Sequence, residues 1–347
     1  MIVRFGFVAM SMRLTNASPS HTMTFATFSK LNDREAALRK LERTAEDNLK
    51  NTLRLLRHCY THDIRMYRFS SKLIPLATHD ELKEWLPWSY LQEAFADIGR
   101  FVREKQMRVS FHPDHFCVFS TPRPEVLAKS KDVLAYHLQM LEAMGLDEEA
   151  KCNIHVGGAY GDKPTSAERF IKQFSELDDK FKRRITLEND DKTFTARETL
   201  AAAEAVGTPM VLDIHHHAVN DGGETDTTLF GDLWPRILRT WQTGDYDKDG
   251  RHAAPGRLAE GANFLLPTKI HVSSPKSEKD PRCHADNVEV APLFRFLKEA
   301  AGSVDRLDCM LEAKQKDAAL FKLMDDFREL EAAGESIRVI DGASIEI

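Results

Sequence analysis

Short apolar runs alternate along this chain with longer segments whose apolar positions recur every three to four residues. The short runs, at residues 2–8, 64–69, 107–111, 152–156, 185–187, 209–212, 269–272 and 309–311, read as buried strands. The longer segments read as helices. After an Asp33 cap, Ala37, Leu41, Ala45, Leu49, Leu53 and Leu56 keep one helical face. Further helices are predicted within 85–106, beginning after Pro87, and at 123–144, 166–181, 196–206, 226–241, 288–301 and 315–333. Gly145 and Gly207 stand where two of them stop. Residues 11–29 form a Ser/Thr-rich loop, and 243–264 is the longest irregular stretch. Strand and helix alternate throughout, which predicts a parallel α/β fold, most economically a single (βα)8 barrel over residues 1–347. Residues 334–347 add a terminal extension, extended from 337.

The ends of the strands change the picture. The run Val211-Leu212 finishes in Asp213-Ile214-His215-His216-His217. A buried strand tolerates a carboxylate and imidazoles only where something satisfies them. A divalent metal does so, and a solvated loop is the alternative. The same ending recurs elsewhere. His112, His115, His155 and His271 lie at or just after other strand ends, and Glu188 and Glu312 hold equivalent places. In a barrel those ends share one rim, where active sites form. His21, His58, His62, His79, His137 and His252 fall outside this pattern and read as surface or helix histidines.

Composition sets limits. The chain has 347 residues, 42% of them hydrophobic, enough for a large core. The net charge is -6, but residues 1–72 carry +7, so the remainder carries -13. Five scattered cysteines without a C-x-x-C pair fit a reducing compartment. No apolar run approaches a membrane span, and residues 1–6 enter a strand without a signal-like segment, so the expectation is a cytoplasmic protein with no membrane partner. Asp245-Tyr246-Asp247-Lys248-Asp249-Gly250 begins like an EF-hand loop, yet its twelfth position is Gly256, so it reads as an acidic turn. Gly157-Gly158-Ala159-Tyr160-Gly161-Asp162-Lys163 lacks the Gly-Lys-Ser/Thr ending of a P-loop, and no nucleotide cofactor is expected. The loop either brings amides near a phosphate or is a tight βα turn. Glu188 and Asp213, on adjacent strands, are placed to bridge two ions. Such a rim suits phosphoester hydrolysis, and it equally suits sugar isomerisation or epimerisation; spacing does not separate them.

Local wording does. Arg4-Phe5-Gly6-Phe7, Tyr67-Arg68-Phe69-Ser70-Ser71-Lys72, Ser110-Phe111-His112-Pro113, Ile154-His155-Val156-Gly157-Gly158, Leu187-Glu188-Asn189-Asp190-Asp191 and Asp213-Ile214-His215-His216 together resemble the UV damage endonuclease family, from Arg4 to about Lys314. The resemblance implies a barrel similar to endonuclease IV that nicks UV-damaged double-stranded DNA just 5′ of a photoproduct, leaving 3′-hydroxyl and 5′-phosphate ends. It also implies two to three divalent ions, Mn²⁺ first and Zn²⁺ second. By that resemblance His112, His155 and Glu188 form one metal site. Glu188, Asp213, His271 and Glu312 form a second, and His216 with His284 a third. Glu188 and Lys269 enter the chemistry, Lys269 matching a lysine that is carboxylated in this family. His115, Phe116 and Phe7 fall at positions that meet the DNA lesion. His115 replaces the family's usual Gln, and Phe7 a Tyr found in some relatives. Two other classes stand beside this one: a sugar isomerase or epimerase, and a binding-only lesion sensor. The basic surplus in residues 1–72 favours DNA.

Overall fold

The computed structural model describes residues 1–114, 116–242 and 266–347. Eight of its strands are parallel neighbours: β1 (Ile2–Val8), β2 (Met66–Arg68), β3 (Arg108–Phe111), β4 (Lys151–His155), β5 (Ile185–Glu188), β6 (Met210–Asp213), β7 (Thr268–Val272) and β10 (Arg306–Leu311). β10 pairs with β7 on one side and with β1 on the other, Phe5 opposite Cys309, so the sheet closes into the expected barrel. Each expected strand is present, with its ends moved by at most a few residues.

Helices wrap the outside for reasons visible in the chain. Asp33 accepts from the Ala36 amide and opens the helix Arg34–Thr61, whose buried positions include Ala37, Leu41, Ala45, Leu49 and Leu56. Thr195 and Glu198 form a reciprocal capping box at Ala196–Val206, and Gly207, at φ 66°, ends that helix in the left-handed conformation. The expected helix at 166–181 starts earlier and breaks. Asp162 caps Lys163–Ser175, with Pro164 in its first turn, and Asp179–Lys182 is a separate short turn.

Three further elements depart from the expected pattern. Residues 214–219 are a short helix whose cap is Asp213 itself. A hairpin, β8 (Pro275–Ser277) with β9 (Asp280–His284), follows β7. The terminal segment forms β11 (Arg338–Val339) and β12 (Ser344–Glu346), and β12 runs antiparallel beside β1, outside the closed ring.

Alternation along the strands sorts the two faces. On β1, Val3, Phe5 and Phe7 are fully buried and face the helices; Phe5 stacks on Phe327 of the helix Lys316–Ala332, 5.4 Å between centroids. The alternate residues line the barrel interior, which is polar. Arg4 of β1 grips Asp308 of β10 with two bonds of 2.7 Å, and Arg108 of β3 adds a third at 2.6 Å. Above that layer Lys269 reaches Ser110 at 3.3 Å, and Thr186 donates to Asn153 at 2.8 Å. The top layer is the candidate site.

Candidate metal centre

His112, His155, Glu188, Asp213, His271 and Glu312 sit at or just after the carboxyl ends of β3, β4, β5, β6, β7 and β10, and side chains from these separate strands meet. Two donor groups form, His112 with His155 and Glu188, and Glu188 with Asp213 and His271. In each group the donor atoms lie within 4.8 Å of one another. Glu188 is common to both. Its Oε2 accepts from Asn153 and lies 3.3 Å from His112 Nε2 and 3.1 Å from His271 Nδ1. Its Oε1 lies 3.5 Å from His216 Nδ1.

The second group lacks Glu312, which the family resemblance implies there. Glu312 pairs with Arg68 and lies 3.0 Å from His271 Nδ1. His284, carried by β9, donates Nδ1–H to the Glu312 carbonyl at 2.7 Å, and its ring stands 5.9 Å from that of His216.

The imidazoles are oriented by the main chain. His112 donates from Nδ1 to the Pro113 carbonyl at 2.9 Å, His155 to Glu188 at 3.2 Å and His216 to Asn189 at 3.0 Å. With His284 this makes four rings whose Nδ1 carries the hydrogen, so each presents Nε2 as its free donor. Asn189 fixes the strand ends beneath them, donating to the Asp213 carbonyl at 3.0 Å and accepting from its amide at 2.9 Å.

Electrostatics follow from burial. Burial alone would raise the Glu188 carboxyl, but His271, His155 and His112 hold it well below the ordinary carboxylate range. Burial opposes protonation of His271, yet Glu188 and Glu312 lift it to about 9. His216 is likewise lifted to about 9 against its burial, by Asp213, Glu188 and Glu312. Lys269 is 4% exposed, and burial, reinforced by Arg108, pushes its ammonium well below the usual lysine value. Its Nζ points into the barrel, not to solvent, although it belongs to neither donor group.

A cavity of about 970 Å³ opens over this cluster. Phe116, Tyr160, Arg123, Lys129, Lys192 and Arg282 line it beside His112, His155, Glu188, His216, His284 and Glu312. Phe116 is 71% exposed at its mouth. His115 lies outside the described residues, as do His252 and the acidic turn at 245–250.

Phe7 is a correction. It is 0% exposed and its ring meets Tyr67 edge-on at 5.6 Å, on the helix-facing side of β1. Period-two alternation with Val3 and Phe5 sends it away from the cavity, so it does not meet DNA there. The cavity's lining cations also lie beyond residue 72, not in the basic N-terminal stretch. Sequence reasoning gave no role to Arg68, Arg123, Lys129, Lys192 or Arg282. For Arg68 a signal existed, since it ends a strand as the ligands do.

A parallel barrel with shared carboxylate–imidazole groups at its C-terminal rim defines a class of rim-site enzymes. Comparison with known proteins narrows the class. The family model described as UV-endonuclease UvdE matches residues 3–343. The UV DNA damage endonuclease of Bacillus pumilus is 43% identical over 350 residues, covering 99% of this chain and 98% of the relative. That of Halalkalibacterium halodurans is 39% identical over 347 residues, covering 100% and 99%. The crystal structure of SacUVDE superposes with a TM-score of 0.76 at 28% identity, over 95% of this chain and 99% of that one. Endonuclease IV from Thermus thermophilus shares the barrel, with a TM-score of 0.51 at 12% identity over 95% and 99%. The chain belongs to the UV-endonuclease family, and it is an endonuclease. The isomerase and binding-only readings give way to that finding. Among the described residues no helix is long and apolar enough to cross a membrane.

Proposed function

We propose that this endonuclease nicks double-stranded DNA immediately 5′ of UV photoproducts, leaving a 3′-hydroxyl and a 5′-phosphate, and that it depends on two or three divalent ions, Mn²⁺ before Zn²⁺. The observation that carries the metal dependence is the sharing of Glu188 between two donor groups. The choice of DNA lesion is supported by relatives named UV DNA damage endonuclease along their whole length.

The residues fit the ions. Glu188 Oε1 and Asp213 Oδ2 are buried carboxylate oxygens without hydrogen-bond partners. Unpaired buried polar atoms are costly, and these converge on one place. His112, His155 and Glu188 would hold one ion. Glu188, Asp213, His271 and Glu312 would hold a second, and His216 with His284 a third. When bound, such ions stabilise charge building on a phosphate and ease ionisation of the attacking water.

The chain supplies the rest. The four Nδ1 hydrogen bonds fix which imidazole nitrogen is offered. Arg123, Lys129, Lys192 and Arg282 receive backbone phosphates, which makes binding salt-dependent. Phe116 is the wedge that fills the gap when a damaged, easily opened site unstacks. Lys269, whose ammonium is disfavoured by burial, is suited to add CO₂ with loss of a proton and become a carbamate ligand, an anion where an ammonium would repel the ions.

The test is a 5′-end-labelled duplex, UV-irradiated or not, incubated with the protein and Mn²⁺. We expect one cut directly 5′ of the photoproduct, a labelled product that a polymerase extends, and no cut in unirradiated duplex. Equal cutting of both duplexes, or cutting at another position, would overturn the reading.

A further inference from the structure

We propose that Tyr160 is a second aromatic platform, on which a base of the entering DNA strand stacks. This inference rests on the DNA-nicking reading above.

Tyr160 stands on the loop 157–162, which leaves β4 directly after His155. It lines the same cavity as Phe116, which stands on the loop after β3. Two features set it apart from an ordinary surface tyrosine. The residue is 42% exposed, so it is held by its loop yet partly open to the cavity. Its backbone is also in the left-handed region, at φ 48°, which bulky L-residues rarely adopt. A bulky residue held in this conformation and left partly open to a cavity is expected where the strain serves a site.

The surrounding loop is built to hold this ring. Ser120 donates to the Gly158 carbonyl at 3.0 Å, and Ser166 to the Ala159 carbonyl at 2.6 Å. Arg169 ties those two serines together, donating to the Ser120 carbonyl at 2.6 Å and to Ser166 Oγ at 2.8 Å. The same guanidinium lies 5.7 Å from the Tyr160 ring centre. A Cβ at residue 158 would sit 3.2 Å from Tyr160 Cε2, and one at residue 157 would sit 2.5 Å from Ser120 Oγ. The paired glycines therefore make room for the tyrosine and for the serine that anchors its loop. That accounts for this glycine-rich loop without a nucleotide phosphate. Stacking on a held aromatic ring suits any base, which a nuclease acting on varied photoproducts requires.

The experiment compares the full chain, Tyr160→Phe and Tyr160→Gly, each with Mn²⁺ and a UV-irradiated duplex, in single-turnover nicking at rising protein concentration. Glycine relaxes the positive φ but removes the ring and its contact with Arg169, so the effects offset and this variant melts close to the wild-type temperature. We expect its half-saturating concentration to rise about ten- to a hundredfold. The Phe variant stays within about threefold of wild type, on the same reasoning that the ring face carries the contact. Maximal rate and bound Mn²⁺ stay unchanged in both. A Gly variant that saturates like wild type overturns the proposal. So does a Phe variant that loses as much as the Gly variant, since the hydroxyl would then carry the contact. A Gly variant that melts well below wild type makes the ring structural and overturns it as well. Wild-type protein that nicks no irradiated duplex sinks the DNA reading itself, and this platform with it.

Discussion

The two oxygens of Glu188 are treated differently. Oε2 is bonded by Asn153 and crowded by His112 and His271, while Oε1 has no hydrogen-bond partner. An amide of the same shape keeps the volume and loses the charge. We therefore expect Glu188→Gln to remain folded, to bind less Mn²⁺, and to nick irradiated duplex at least about a thousandfold more slowly, equivalent to roughly 4 kcal/mol in the barrier. Near-wild-type nicking by this variant would remove Glu188 from the metal centre. At this scale the sequence was informative where chemistry and position coincide. His112, His155, Glu188, Asp213 and His271 each stand at or next to the end of a readable apolar run, and a carboxylate or imidazole there has few other uses. It was less informative where only direction matters. Phe7 and Arg68 both lie at strand ends, and apolar content alone does not say which face each takes. Alternation with Val3 and Phe5 decides for Phe7, and the pairing with Glu312 decides for Arg68.

The elements that carry His216 and His284 were the least legible. Asp213-Ile214-His215-His216-His217 reads as a strand end running into a polar loop, yet Asp213 caps a helical turn by accepting from the His216 amide at 2.7 Å. That turn separates the three histidines. His216 faces Glu188 and Asp213. His217 lies nearer Asp221 and Glu224, and burial lowers its imidazole. His215 braces the hairpin, with Nδ1 2.5 Å from Ser273 Oγ and Nε2 2.7 Å from the Pro281 carbonyl. The hairpin itself is mostly exposed and polar, so no hydrophobic period announces it. Because β9 positions His284, His215 acts on His284 through the hairpin. We expect His215→Ala to cost about 1–3 kcal/mol of stability in denaturant unfolding. It should also lower the number of tightly held Mn²⁺ ions by one. Unchanged stability with a full complement of metal would show that the hairpin stands without this brace.

At the scale of the whole molecule, alternation of strand and helix predicted the barrel, and closure by β10 against β1 completes it. What the pattern did not convey is the polarity of the interior. Arg4, Arg108 and Asp308 pack beneath Lys269 and Ser110, and these lie beneath the ligand ring, so the column through the barrel is charged from base to rim. Buried charges of this kind are tolerated only when paired. In the lower layer both oxygens of Asp308 are paired and the atom left over is a guanidinium nitrogen, Arg108 Nη2, whereas at the rim the atoms left over include two carboxylate oxygens, Glu188 Oε1 and Asp213 Oδ2. That contrast is the physical basis for placing divalent ions at the rim. The most direct measurement strips the protein of metal and returns Mn²⁺ stepwise while nicking of UV-irradiated duplex is followed. We expect no nicking in the stripped protein, and recovery that is complete once about two to three ions per chain are bound, the nuclearity of multi-metal phosphoester sites. Full-rate nicking by the stripped protein in the presence of a chelator would contradict this metal dependence.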